Sequence, residues 1–346
     1  MSWWRSPWVS RVLKLLVSVV LIGGIVWQVG PDAVLPTSFS WWYGIAAVAV
    51  FVLSNLLGAF QWNLLLNIAG IELPKRVVTR AYFISLFFNN FLIGNVGGDV
   101  LRAFEVRKNA SPGLTHTTAS GVATIVMDRF LGFFTMMIFA GAAALFTEEH
   151  SEFGALIAGV LGGFVVLGVL ITSRRIGTRV DACVVGLLPE RVSRTLTGLR
   201  AGFVAMRARW VVLGMAAAVS FLVQGLRIYV HYLCALSIGV DIPLIYFWTF
   251  IPLIGVAAAI PISSGGLGPR EWAAKWLFTT LPGVAAGGVV AMELLAHMTA
   301  LASSLPGAVA FVLRRESTHI DNPEFRHLQR HPHFHCWNHR SLKCCW

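Results

Sequence analysis

The stretch "NNFLIGNVGGDVLRAFEVRK", Asn89 to Lys108, decides the fold. It begins in an apolar run, is broken by Gly97-Gly98-Asp99, and ends in bases. The apolar run starts just after Arg80, and as a helix residues 81–93 reach only about 20 Å. A bilayer core is roughly 30 Å thick, so this piece cannot cross it. Glycines there permit backbone angles and close approaches that other residues avoid. Asp99 is a suitable N-cap for a second helix starting near Val100. The stretch therefore predicts a helix that enters the membrane, stops, and turns back.

The rest of the chain supplies the membrane. Of 346 residues, 56% are hydrophobic and only 12% are charged, with a mean hydropathy of +0.72. A soluble chain of this length needs far more charge on its surface. Full spans are predicted near 11–29, 41–67, 119–146, 154–172, 211–238 and 286–313. A β-barrel would show short alternating segments instead. The formal net charge of +11 comes from bases clustered between apolar runs. That pattern fits topology and anionic headgroups and gives no support to nucleic-acid binding. The first apolar run, preceded by Arg5 and Arg11 and lacking a small-residue cleavage site, reads as a signal anchor.

Bases also orient the chain. Segment 69–80 carries Lys75, Arg76 and Arg80, and segment 173–210 carries eight arginines from Arg174 to Arg209. Segments 30–40 and 147–153 have no base. Both basic segments and both termini are thus expected in the cytoplasm, and the baseless segments outside. The apolar region 81–109 must then begin and end on the same side, and the same parity applies to 242–284. Together these predict an all-α polytopic membrane protein. It has six full spans plus two re-entrant helical hairpins, arranged as an inverted-topology repeat. The first half is 1–150 and the second 151–315, with a tail over 316–346. In support, Gly97-Gly98-x-x-x-Arg102 is matched at the same place in the second half by Gly265-Gly266-x-x-x-Arg270.

The candidate site follows from these hairpins. Pro269 suits a first helical turn, where its missing N–H costs nothing. Two half-helices with N-termini in the membrane present free N–H groups and the positive end of a dipole to an anion. Arg102 and Arg270 can grip a phosphate or carboxylate by paired hydrogen bonds. Asn89, Asn90, Ser263 and Ser264 add hydrogen bonding near the tips. Ionisable groups within spans are costly and face polar interiors. They are Asp128 and Arg129, the i, i+4 pair Arg227 and His231, and the pair Glu293 and His297, with Glu271 beside Arg270. Arg129 and Glu293 are the stronger candidates for lining a cavity; Arg227 and His231 carry less weight. The plainer reading of each charge is an ion pair that fixes the bundle.

Other features carry less. Trp3, Trp4, Trp8, Trp41 and Trp42 sit at span ends and read as interface anchors. The basic 173–210 segment has the apolar spacing of an amphipathic helix on the inner leaflet. His331, His333, His335 and Cys336 match no closed zinc module, so no metal and no other cofactor is expected. Cys183 and Cys234 stand alone, which argues against a disulfide framework. The sequence contains no Walker P-loop, H-E-x-x-H or Gly-x-Ser-x-Gly.

Three stretches, "NNFLIGNVGGDVLRAFEVRK", "VMDRFLGF" and "IPISSGGLGPREWAAKWLF", resemble the lysylphosphatidylglycerol synthase transmembrane-region family. The resemblance covers about residues 10–315. Members are flippase-like membrane proteins that stand alone or form the N-terminal part of the bacterial multiple peptide resistance factor. There this region is thought to move aminoacylated phosphatidylglycerol between leaflets, while a separate cytosolic domain makes it. The resemblance does not extend to that domain, so it implies no synthase activity. Stand-alone relatives are linked to polyprenyl-linked glycans and hopanoid-associated lipids. This chain has Ile93 where the family often has proline, and Asp128-Arg129 where it has Glu-Arg.

The resemblance and the charges imply a lipid flippase or scramblase of the bacterial cytoplasmic membrane, and not an enzyme. Arg102, Arg129 and Arg270 are expected to hold an anionic headgroup. Asp99, Asp128, Glu271 and Glu293 would balance charge or receive an aminoacyl amine. Asn90, Gly97, Gly98, Ser264, Gly265 and Gly266 complete the expected binding set. Two other classes remain open. One is a lipid-binding scaffold for a biosynthetic enzyme; the other is an intramembrane transferase with Asp99, Asp128 or Glu293 as base. Membrane lipids are the expected partners, with a biosynthetic enzyme or a second copy of the chain as further candidates.

Overall fold

Long apolar runs bounded by turn residues leave the backbone one way to satisfy itself in lipid, and the chain takes it. The computed structural model describes residues 7–30, 34, 38–91, 97–109, 117–146, 151–172, 202–204, 209–259 and 267–313. Among them the regular elements are helices: α1 (Pro7–Val29), α2 (Trp41–Ile68), α3 (Lys75–Phe91), α4 (Gly97–Asn109), α5 (Thr117–Ala144), α6 (Ser151–Thr172), α7 (Trp210–Ser237), α8 (Leu244–Ala259), α9 (Pro269–Phe278) and α10 (Ala286–Leu313). Four are long and apolar enough to cross a membrane: α2, α5 over Ala119–Ala144, α7 and α10. Helices α1 and α6 fall where spans were expected, but the apolar helical stretches described in them are shorter, Val19–Val29 and Gly154–Val166.

The interrupted regions are indeed pairs of short helices. Helix α3 has 17 residues and α4 has 13; at 1.5 Å per residue they reach about 25 and 20 Å. Helix α8 has 16 residues and α9 has 10. Within each pair the two helices pack on each other. Two local expectations need correction. The first short helix starts at Lys75, not 81, because Pro74 accepts the Val77 and Val78 N–H groups and opens the helix six residues earlier. Asp99 is not an N-cap: α4 already begins at Gly97, and Asp99 lies inside its first turn. Pro269, by contrast, does open α9, after Gly268.

Tight glycine contacts explain why these pieces pack so closely. A Cβ on Gly98 would lie 1.9 Å from the Ser85 carbonyl oxygen, so α4 touches the backbone of α3. One on Gly307 would lie 2.0 Å from the Phe83 carbonyl oxygen, which brings α10 against the same helix. Gly58 gives room to the Tyr82 ring in the same way. Helix α5 packs on α2, α4, α6, α7 and α8, and α2 runs along α7. Trp41 and Trp42, at 73% and 82% exposure, keep the outward position expected of interface anchors.

Helix α1 is fastened to α9: the Trp272 indole N–H donates to the Leu21 carbonyl at 3.1 Å, and Lys275 donates to Gln28 at 2.6 Å. Gly268 sits at this contact with φ +96°, and a Cβ there would lie 2.6 Å from Leu21 Cβ. Gly268→Ala combines left-handed strain of about 1–2 kcal/mol with that clash. It should lower the thermal midpoint of the detergent-purified protein and loosen α1, read as faster proteolysis within α1.

By contacts the chain divides into Met1–Ala310 and Phe311–Trp346. Past Leu313 the tail lies outside the described residues, as do Ile93, Cys183, Ser263, Ser264, Gly265, Gly266 and most of the basic 173–210 segment.

Candidate functional site

The polar residues of the apolar helices converge on one cavity of about 340 Å³. Helix α4 contributes Asp99 and Arg102, α5 contributes Asp128 and Arg129, α7 contributes Gln224, Arg227 and His231, and Arg270 comes from α9. Asn89 and Asn90 of α3 and His297, Ser303 and Ser304 of α10 complete its polar wall. On α7 these side chains recur at i, i+3 and i+7, so one face of an otherwise apolar helix points inward. Gly132 on α5 allows the approach of Gln224, whose amide nitrogen would lie 2.7 Å from a Cβ there.

The first group of charges is tied together across three helices. Arg102 Nη2 donates to Asp128 Oδ2 at 3.0 Å, and the Gln61 amide donates to Asp128 Oδ1 at 3.0 Å. Arg129 Nε donates to Asp99 Oδ2 at 2.6 Å, while Arg102 Nη1 lies 3.8 Å from Asp99 Oδ1. The Arg102 guanidinium also lies over the rings of Trp62, 4.1 Å away, and Tyr82, 4.8 Å away. Such cation–π contacts strengthen where water is excluded. Trp62 is itself oriented by an indole hydrogen bond to Thr124 at 3.1 Å. Arg102 is only 5% exposed, and its Nε has no hydrogen-bond partner.

The second group is a closed triangle. Arg270 Nε donates to Glu293 Oε2 at 2.7 Å, His231 Nδ1 lies 2.9 Å from Glu293 Oε1, and Arg270 Nη2 lies 2.8 Å from His231 Nε2. Arginine only donates, so His231 Nε2 must accept, and the ring proton sits on Nδ1 facing Glu293. All three contacts are satisfied at once. Glu293 is fully buried.

Three asparagines brace the helices around these groups. Asn89 accepts the Gly98 N–H at 2.8 Å. Asn90 donates to Ser304 at 3.1 Å, and Asn55 donates to Ser303 at 3.1 Å. These bonds pin α3 to the start of α4 and α2 and α3 to α10.

Of the expected residues, Asn90, Asp99, Arg102, Asp128, Arg129 and Arg270 line the cavity. Glu293 stands behind Arg270. Gly97 and Gly98 start α4, and Gly98 acts through packing. Glu271 does not line the cavity; its carboxylate accepts the Gly268 N–H at 2.6 Å and closes the amino end of α9. Arg227 and His231, given less weight from sequence, both line it. Gln61, Gln224, Asn55 and Tyr82 were missed. Amides inside predicted spans are the signal that could have found the first three, since buried polar groups in lipid need partners.

Helices this apolar, enclosing a cavity this charged, define an α-helical integral membrane protein whose polar chemistry is internal. The chain belongs to the family described as the lysylphosphatidylglycerol synthase TM region, whose model matches residues 11–307. It is 22% identical over 294 residues to a UPF0104 membrane protein of Pyrococcus horikoshii, covering 78% of this chain and 87% of the relative. It is 25% identical over 286 residues to a UPF0104 membrane protein of Methanothermobacter thermautotrophicus, covering 74% and 79%. No solved structure matches.

Proposed function

We propose that this protein moves a lipid between the leaflets of the cytoplasmic membrane, its headgroup passing through the cavity while the acyl chains stay in lipid. One observation carries the reading. Four arginines and two aspartates line a single cavity among helices apolar enough to span a membrane. Ionisable groups at that depth are expensive and mark a substrate path or a relay. The family description, which names lysylphosphatidylglycerol synthase, points to phospholipid as the cargo.

The mechanism draws on the expected inverted repeat of six spans and two re-entrant hairpins. Pairing between helices supports it: Arg102 on α4 bonds Asp128 on the following helix α5, and Arg270 on α9 bonds Glu293 on the following helix α10. The two tip motifs differ in detail, since α4 begins at its first glycine and α9 begins only at Pro269. Rocking of one half on the other exposes the cavity to each leaflet in turn, with both termini cytoplasmic. No bond is made or broken; the protein acts as a transporter, alone or with a lipid-biosynthetic enzyme that supplies its cargo.

Reconstituted wild-type protein should raise the rate at which fluorescent phosphatidylglycerol in liposomes becomes accessible to an external quencher. Arg102→Ala should cut that rate by about 10-fold or more, because it removes the cation held by Asp128, Asp99 and two aromatic rings. Wild-type protein that leaves the rate at the protein-free level overturns transport and leaves a lipid-binding scaffold.

A further inference from the structure

Resting on the cavity's reading as a transport path, we infer that His231 is a proton site, and that a proton taken up there displaces Arg270 from the triangle and releases its guanidinium into the cavity. Arg270 Nη2 lies 2.8 Å from His231 Nε2. A guanidinium donates and never accepts, so this contact holds only while Nε2 carries no proton. Nδ1 of the same ring lies 2.9 Å from Glu293 Oε1, and Arg270 Nε donates to Oε2 at 2.7 Å. Glu293 is thus within reach of two cations, the guanidinium on one oxygen and an imidazolium on the other.

The proton step balances within the triangle. A proton from water adds to the Nε2 lone pair and the Arg270 N–H bond to Nε2 breaks. The Nδ1–H bond to Glu293 stays and becomes charge-assisted. The net charge of the triangle rises by one. Two cations then meet edge to edge away from water, and one of them must withdraw. Arg270 is the one with room: its side chain is 21% exposed, against 9% for His231, and it lines the cavity. Proton and guanidinium therefore compete for one ring nitrogen, which ties the charge offered to cargo to the pH on the side the cavity faces. Histidines inside spans serve as such relays.

The other groups around the ring do not offer this exchange. Arg227, one turn back on α7, is permanently charged. His297, one turn beyond Glu293 on α10, lines the cavity but takes part in none of the three contacts. Glu271 and Lys275 of α9 are bonded to the Gly268 N–H and to Gln28. On α5, Asp128 is held by Gln61 and Arg102, and Arg129 by Asp99. Helices α2 and α8, which also pack on α7, carry no Asp, Glu, His, Lys or Arg.

The test is modification of arginines by phenylglyoxal in the full chain in detergent, read by peptide mass spectrometry. Reaction at Arg270 is taken as a ratio to Arg107, an exposed arginine, which cancels the pH dependence of the reagent itself. Histidine is the side chain that changes charge between about pH 8 and about pH 5.5, and over that interval the ratio should rise about 5-fold or more. His231→Gln cannot take the proton and should hold the ratio constant, whereas His297→Gln should keep the rise. A wild-type ratio that ignores pH overturns the proposal without any variant, and so does a rise that survives His231→Gln. If His231→Gln does not fold, loss of the rise in His297→Gln moves the proton to that residue and overturns it equally. Arg102, 5% exposed, is the control: an equal rise there reports general loosening and ends the assignment. The liposome assay separates this from transport. A pH-dependent ratio without lipid movement keeps the proton site and ends the transport reading; lipid movement with a flat ratio does the reverse.

Discussion

Glu293→Ala should destabilise the protein by about 3–5 kcal/mol, the cost of breaking a buried ion pair from one side. The carboxylate is fully buried and serves two partners, accepting from Arg270 at 2.7 Å and from His231 at 2.9 Å. Its removal leaves the Arg270 charge uncompensated deep in the bundle and takes the acceptor from the His231 N–H. The loss should appear as a much lower thermal midpoint in detergent, followed by tryptophan fluorescence. The decisive comparison is a double variant. Glu293→Gln with Arg270→Gln removes both charges and should recover much of what Glu293→Gln alone loses, since neutralising both partners of a buried pair is far cheaper than stranding one. Equal midpoints for Glu293→Gln and wild type would mean that the triangle holds nothing together.

Gly98→Val should be about as severe, through packing alone. An added Cβ would sit 1.9 Å from the Ser85 carbonyl oxygen, a backbone atom that cannot rotate away. Helix α4 must move off α3, breaking the Gly98 to Asn89 bond and displacing Arg102 from Asp128 and its two rings. Overpacking typically costs 1–3 kcal/mol, and a clash between two backbones belongs at or above the upper end, about 3 kcal/mol. Gly98→Ala should show a smaller loss of the same kind. The function-specific sign is that lipid movement falls even at temperatures where the variant remains folded. Wild-type stability and transport in Gly98→Val would show that α3 and α4 do not meet there.

Both results turn on contacts between different helices, and they mark where sequence reasoning stops. The spans were legible because apolar run length is a local property: α2, α5, α7 and α10 fall within a few residues of their predicted bounds. The starts of the second short helices, at Gly97 and Pro269, were legible to within a few residues for the same reason. The role of Asp99 was not. As an N-cap it needed only its own neighbours, but its carboxylate is engaged by Arg129, thirty residues on in another helix. Glu271 erred in the opposite direction: it was assigned to the cavity, and a local bond to the Gly268 N–H holds it.

By itself the sequence determined that this chain is a helical membrane protein, where its helices run and break, and that its charges sit in oil. Those follow from hydropathy, helix length and backbone chemistry, each readable over a window of about 20 residues. Only the tertiary structure decided which charges neutralise one another. Arg102, Arg129, Arg227 and Arg270 look alike as residues, and three have a carboxylate in reach while Arg227 has none among the described residues. Pairing depends on how α4, α5, α7, α9 and α10 are brought side by side, and electrostatic attraction at about 3 Å has no counterpart in spacing along the chain.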